Sequence, residues 1–382
     1  MIFLLLFGSE YSFSQVLDSV IFLDEIPITQ SIVSRVVAVR PDNDNGVYLS
    51  FVKGNKFHLY HYVHSRNEMT KSIFKLDKNY SKGNRPHDFV LSDEFVYVLF
   101  DRRISCLSKK KMKEVSSFNP GNAGYVFLSG NHLITGLYYN YHPLSSIPKA
   151  GLRKFDLNGN LIDSIDLKVP FPEYTHHNPQ KLISFNGEKF IFPLFNGLNF
   201  IVVDSNFITV DTVSLSVDKY DSMWVLPSKA LSVSVARNMD DLSLYWGFMD
   251  DANFRKIART EYVEFVDSNN LLIRWYSRDT TKGTSNRYTL NLINTNNTWQ
   301  PNSSAAHLET PIPFDTSKKL FSGGMPLFSH SHLIAYTRDF MYQVKIDIPY
   351  IEDLSYRTYF NKKKEMEKVL DPVISLFIFK YE

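Results

Sequence analysis

The stretch Gly151–Leu167, GLRKFDLNGNLIDSIDL, constrains the fold more than any other part of the chain. Arg153, Phe155 and Leu157 alternate with their neighbours, Asn158-Gly159 tolerates positive φ, and Leu161, Ile162, Ile165 and Leu167 carry a return strand. That is the pattern of a tight two-stranded hairpin. It recurs: Phe155-Asp156 with Ile162-Asp163-Ser164-Ile165 is echoed by Val203-Asp204 with Val210-Asp211-Thr212-Val213. The spacing is roughly fifty residues, within the range of propeller blades. Such a repeat specifies architecture and carries no catalytic signal.

Around this hairpin the chain divides into groups of about four short β segments. They run Arg35–Leu76, Asp88–Phe118, Gly124–Leu167 and Lys181–Leu215, with a fifth clearest over Tyr262–Asn294 and a sixth over Met325–Asp347. The sixth lacks a fourth strand, and Val16–Leu23 has the D-S-V character of the outer strands, so ring closure by the N-terminal strand is expected. Residues 216–260 are an insertion or a degraded seventh blade. Tyr359–Leu370 reads as a short helix stopped by Asp371-Pro372, and the apolar strand VISLFIFKY follows, docked on the propeller or a sheet edge. The expected class is all-β: a six-bladed propeller of four-stranded antiparallel blades, or a seven-bladed one. The expected segments are a signal peptide 1–15, a propeller 16–350 and a helix-strand extension 351–382.

The chain has 382 residues with a formal charge of +2, so no net field attracts nucleic acid or an anionic membrane. Thirty Phe and 22 Tyr supply a β-rich core. The run Lys109-Lys110-Lys111-Met112-Lys113 reads as a solvated hairpin turn. Cys106, the single cysteine, alternates within ISCLS as a small buried residue, which excludes an intramolecular disulfide and a thiolate metal cluster. Met1–Gln15, MIFLLLFGSEYSFSQ, has the apolar run and small-residue end of a secretory leader, without a basic start and too short to span a bilayer. Export to the periplasm or cell surface is expected, with maturation near Gln15 and Val16.

The arrangement resembles the six-bladed, TolB-like β-propeller proteins of Bacteroidota. The resemblance rests on the F-D-x-N-G hairpin at Phe155–Ile165, the leader ending Ser14-Gln15 and the terminal D-P-V-I-S-L-F-I-F from Asp371. It implies a propeller over nearly all of the mature chain and an exported protein without assigned activity. It brings no catalytic residue.

In such blades the connection between the second and third strands and the one leaving the fourth emerge on the same face. On it fall Lys82, Arg85 and His87; Tyr138, Tyr139, Tyr141 and His142; Glu173, Tyr174, His176 and His177; and Arg278 with Asp279. Aromatic, His and Arg side chains converging on one channel mouth suit a protein, peptide or glycan, through stacking and charge-assisted hydrogen bonds. The bland alternative is loops that simply cover the channel.

His176-His177 is a poor metal pair, because adjacent residues rarely bind one ion. His58, His61 and His64 sit on a strand, with His61 on the opposite face. Asp42-Asn43-Asp44-Asn45-Gly46 lacks the later ligands of a calcium loop and reads as a turn. G-x-S-x-G, H-E-x-x-H, P-loop and G-x-G-x-x-G motifs are missing. No metal or cofactor is expected, and the chain is expected as a monomer without a transmembrane segment. The D-S/T-φ triplets at Asp18, Asp163, Asp211 and Asp221 resemble an O-glycosylation acceptor and are equally explained by repetition. The favoured function is a non-enzymatic binding or scaffold module; the alternative is a hydrolase or lyase acting on glycans or peptides through the same loops.

Overall fold

The computed structural model describes residues 15–22, 36–42, 45–77, 86–100, 102–138, 150–167, 182–194, 198–215, 256–279, 284–295, 298–301, 307–308, 334–337, 339–347 and 373–381. These residues form antiparallel sheets, with a single 3-10 turn at His64–Arg66. Alternating apolar residues rich in Val, Ile, Phe and Tyr favour strands that bury both faces between neighbouring sheets.

The first four-stranded unit is β2 (Val36–Pro41), β3 (Val47–Lys53), β4 (Lys56–Val63) and β5 (Glu68–Lys75). The second is β6 (Pro86–Leu91), β7 (Phe95–Phe100), β8 (Arg103–Ser108) and β9 (Lys113–Phe118). They join into one eight-stranded sheet only through the parallel pair Lys75 and Lys113. The third unit is β10 (Tyr125–Ser129), β11 (His132–Tyr138), β12 (Ala150–Asp156) and β13 (Leu161–Leu167), so the opening hairpin forms its outer half. The fourth is β14 (Ser184–Phe185), β15 (Lys189–Leu194), β16 (Leu198–Asp204) and β17 (Thr209–Leu215). In the fifth, β18 (Lys256–Phe265), β19 (Asn270–Asp279), β20 (Thr284–Thr295) and β21 (Thr298–Pro301) follow in order, with β22 (His307–Leu308) also on β20.

The sixth unit draws on both ends of the chain. Its order is β1 (Gln15–Phe22), β25 (Val373–Tyr381), β24 (Phe340–Asp347) and β23 (Ile334–Tyr336). The apolar strand VISLFIFKY is therefore an interior strand with a partner on each side. Leu376, Phe377, Ile378 and Phe379 are buried.

Apolar clusters fill the spaces between consecutive units. Phe57 and Phe74 of the first pack with Phe89 and Phe100 of the second. Phe127 and Leu152 of the third pack with Phe190 and Phe192 of the fourth, and Phe200 of the fourth packs with Trp275 of the fifth. Tyr262 and Leu272 of the fifth meet Tyr336 and Phe379 of the sixth. Each fully buried Phe contributes about 1.5–3 kcal/mol of burial. Contacts between the first strands run from β2 to β6 to β10, from β14 to β18, and from β23 back to β2. The Tyr125 hydroxyl, which accepts from Leu182 N–H, links the third unit to the fourth at 3.1 Å. The Tyr262 and Tyr336 rings, 5.0 Å apart, link the fifth to the sixth. Among the described residues, these sheet units thus make contact in succession, as in a propeller-like fold.

The turns joining first to second and third to fourth strands are short and hydrogen-bonded from within. Asp156 accepts from the backbone N–H of Asn158 and of Asn160, and Asp204 from those of Asn206 and Ile208. Asp267 does the same for Asn269 and Asn270. These are Asx turns, in which the carboxylate replaces a backbone partner. The basic run forms the β8–β9 turn, with Met112 at φ 51°. Asp42 N–H donates to the Gly46 carbonyl at 2.9 Å, closing the turn read from the acidic run. Cys106 is buried, and burial raises its thiol pKa. β4 ends at Val63, so His64 lies beyond the strand in the 3-10 turn; it packs against Phe340, ring centroids 3.8 Å apart.

Residues 1–14 of the leader, residues 216–255 of the irregular segment, MPLFSHS and the expected C-terminal helix lie outside the described residues.

Candidate functional site

Among the described residues, the first strands of successive units contact one another and line the axis of the propeller-like fold, and three of them carry charges that apolar strands ordinarily avoid. Arg40 lies near the end of β2, Asp88 on β6 and Glu264 on β18. In each of these three strands the ladder shifts register one to three residues before the charge. Pairing skips Val37 on β2, His87 on β6 and Glu261 on β18. A bulge inserts one unpaired residue and re-aims the side chains that follow.

Arg40 Nε donates to Asp88 Oδ1 at 2.9 Å, its Nη2 reaches Asp88 Oδ2, and the same Nη2 donates to the Val126 carbonyl at 3.1 Å. Asp88 also accepts from Phe89 N–H at 2.9 Å and Val126 N–H at 3.0 Å. One ion pair therefore ties the first, second and third units together. On the far side, Tyr262 donates its hydroxyl to Glu264 Oε2 at 2.7 Å and Ser184 donates to Oε1 at 3.3 Å, while Ser184 accepts from Phe265 N–H. Ser184 thus ties the fourth unit to the fifth.

Burial acts first on Arg40 and lowers its pKa, but the carboxylates of Asp88 and Glu264 outweigh it, and the net shift is upward. Burial raises Tyr125 to about 12 and lifts Tyr262 well above its ordinary value, with the Glu264 charge adding to the second. Both phenols therefore stay protonated. The cluster is a preorganised set of hydrogen-bonding groups, largely buried between the sheet units. Among the described residues, no three His, Cys, Asp or Glu side chains converge as metal ligands.

Of the residues expected at the channel mouth, His87, Tyr138, Arg278 and Asp279 are among the described residues. His87 is exposed at the bulge, one residue before Asp88. Tyr138 pairs with Ala150 at the end of β11, and Arg278 and Asp279 pair with Ile257 and Lys256 at the end of β19; only their backbone is described. Arg85, Tyr139, Tyr141, His142, Glu173, Tyr174, His176 and His177 lie outside the described residues. The axial residues Arg40, Asp88 and Glu264 were not among the sequence candidates. Their signal is a lone charge in an apolar run: AVRP, HDFVL and YVEFV.

Fold and axis define an all-β, propeller-like protein. No protein-family model and no curated protein matches the sequence. A Bacteroides fragilis protein named as an exported one has a similar structure, with 14% identity, a TM-score of 0.50, and coverage of 96% of this chain and 97% of that one. A member of the DUF4221 family from Bacteroides vulgatus is similar at 9% identity and a TM-score of 0.50, covering 97% of this chain and 99% of that one. At these identities the likeness shows the fold alone. No helix among the described residues is long and apolar enough to cross a membrane.

Proposed function

We propose that the chain is an exported, six-bladed, TolB-like propeller that binds a protein, peptide or glycan on one face, as a monomeric binding or scaffold module without catalytic activity. The observation that carries this reading is the asymmetry between the two ends of the sheets. At one end the described turns are short and satisfy their own polar groups, leaving little to offer a ligand. At the other end run the long connections, including 78–85, 139–149, 168–181 and 216–255, rich in Tyr, His and Arg. Loops on a rigid scaffold are where recognition concentrates. His87, exposed and next in sequence to Asp88 of the Arg40–Asp88 pair, supports this reading.

The similar fold of an exported Bacteroides protein supports the export part of this reading. The test presents immobilised wild-type protein and a His87→Ala/Tyr141→Ala/His177→Ala variant to a panel of glycans and peptides. Wild type is expected to retain a defined subset and the variant to lose at least ten-fold in retention. Equal retention by both would remove the long-connection face as the site.

A further inference from the structure

Five of the six sheet units are built from consecutive strands, and one is not. In that unit β1 pairs with β25 from Gln15 opposite Tyr381 to Phe22 opposite Ser375, joining the two ends of the chain. The two partners contribute unequally. Side chains Asp18 to Ile21 of β1 are exposed or half-buried, whereas Leu376 to Phe379 of β25 are buried. The ladder is interrupted at Asp18, and Val20 only partly covers the cluster of Tyr262, Tyr336, Phe377 and Phe379. Strand β1 is thus held by one interrupted ladder, and none of its described side chains is buried, the profile of an element that opens locally. Its departure would leave β25 as a long apolar edge, which seeks another strand.

Order of assembly points the same way. Pairing β1 with β25 is the longest-range contact in the chain, and its loop-closure entropy must be met before the contact forms. Until then the β25 edge is open to any strand of the right sequence.

We infer that the β25 edge is a strand-acceptor site whose ligand in trans is β1 of a second copy of this chain, giving a strand-exchanged dimer alongside the closed monomer. Both forms hold the same β1–β25 contacts, so concentration during folding decides between them. The outer strands β13 and β17 carry the same Asp-Ser/Thr pair as β1, with Asp163 and Asp211 each accepting from the next backbone N–H at 2.7 Å. Both are anchored by a tight turn to the strand they pair with, and β1 is not.

The register supplies the test. Val16 faces Lys380, and the single native cysteine, Cys106, is changed to Ser in every test chain so that it cannot react while the chains are unfolded. The full chain carrying both Val16→Cys and Lys380→Cys is refolded dilute with oxidised glutathione and is expected to crosslink internally as a monomer. A Val16→Cys chain and a Lys380→Cys chain of different tag mass, unfolded together and refolded concentrated, are expected to give a covalent dimer of mixed composition. Pairing Val16→Cys with Ser375→Cys, at the far end of the ladder, should give at least ten-fold less. A mixed yield no higher than this mismatched pair would overturn the acceptor site. Failure of the double variant to crosslink internally would overturn the register on which the site rests.

Discussion

Arg40 and Asp88, on the first strands of adjacent sheet units, meet through two hydrogen bonds from one guanidinium to one carboxylate, and both also hold the backbone of Val126 on a third. Breaking a buried pair leaves an uncompensated charge. Asp88→Ala is therefore expected to cost about 3–5 kcal/mol, read as a lower urea midpoint. Replacing both partners, Arg40→Leu with Asp88→Leu, should cost less than Asp88→Ala alone. A double variant less stable than the single one would refute this account.

Phe190 is fully buried between the third and fourth units, with its ring 4.1 Å from Phe185 and 5.5 Å from Phe127. Phe190→Ala should lose about 3–5 kcal/mol by transfer and cavity costs. Ile208, 65% exposed, is the control, and Ile208→Ala should stay within about 0.5 kcal/mol of wild type.

Gly159 sits at φ +91°, and a Cβ there would lie 2.3 Å from the Phe118 ring; Gly54, at φ +62°, faces open space. Gly54→Ala carries only the left-handed penalty, about 1 kcal/mol, whereas Gly159→Ala adds a clash and should cost roughly 2–3 kcal/mol. Equal melting shifts for the two would sink the packing argument.

The Asp156 pKa is lowered by hydrogen bonds from the Asn160 side chain and from turn backbone N–H groups. A depressed carboxyl stabilises the fold above its unfolded pKa, and that stability is lost as pH falls below the ordinary 3.8 through the folded value. Asp156→Asn should show a smaller loss of stability in that window than wild type. Identical acid titrations would exclude the turn as the source.

Tyr125 and Tyr262 are raised, so the folded state holds their protons more tightly than the unfolded chain. Their contribution is complete below the ordinary value of 10.0 and falls as pH rises above it. Absorbance of phenolate should therefore keep a fraction of tyrosines silent until alkaline unfolding, and Tyr262→Phe should remove one of them.

The hairpins were legible because a period of two with Asn, Asp and Gly between strands is a local pattern. Asn158-Gly159 and the Asp204 turn stand where their residues place them. The axis was not legible in the same way. Arg40 and Glu264 are separated by most of the chain, and each looks like an ordinary solvated charge until the first strands close around it. The bulges that aim them leave no mark on composition. VISLFIFKY showed its apolar character plainly, but only topology reveals that β1 covers one of its edges and β24 the other. For Tyr141, Glu173 and His177 the residue types speak for a rim, while long connections carry no periodic signal from which geometry could be read.

The pairing of Gln15 with Tyr381 has a consequence for how the sequence may be cut. The first and last described residues are ladder partners, about 5 Å apart at Cα. A short peptide joining them, with new ends opened at the solvated β8–β9 turn around Lys110, would preserve every strand pairing described above.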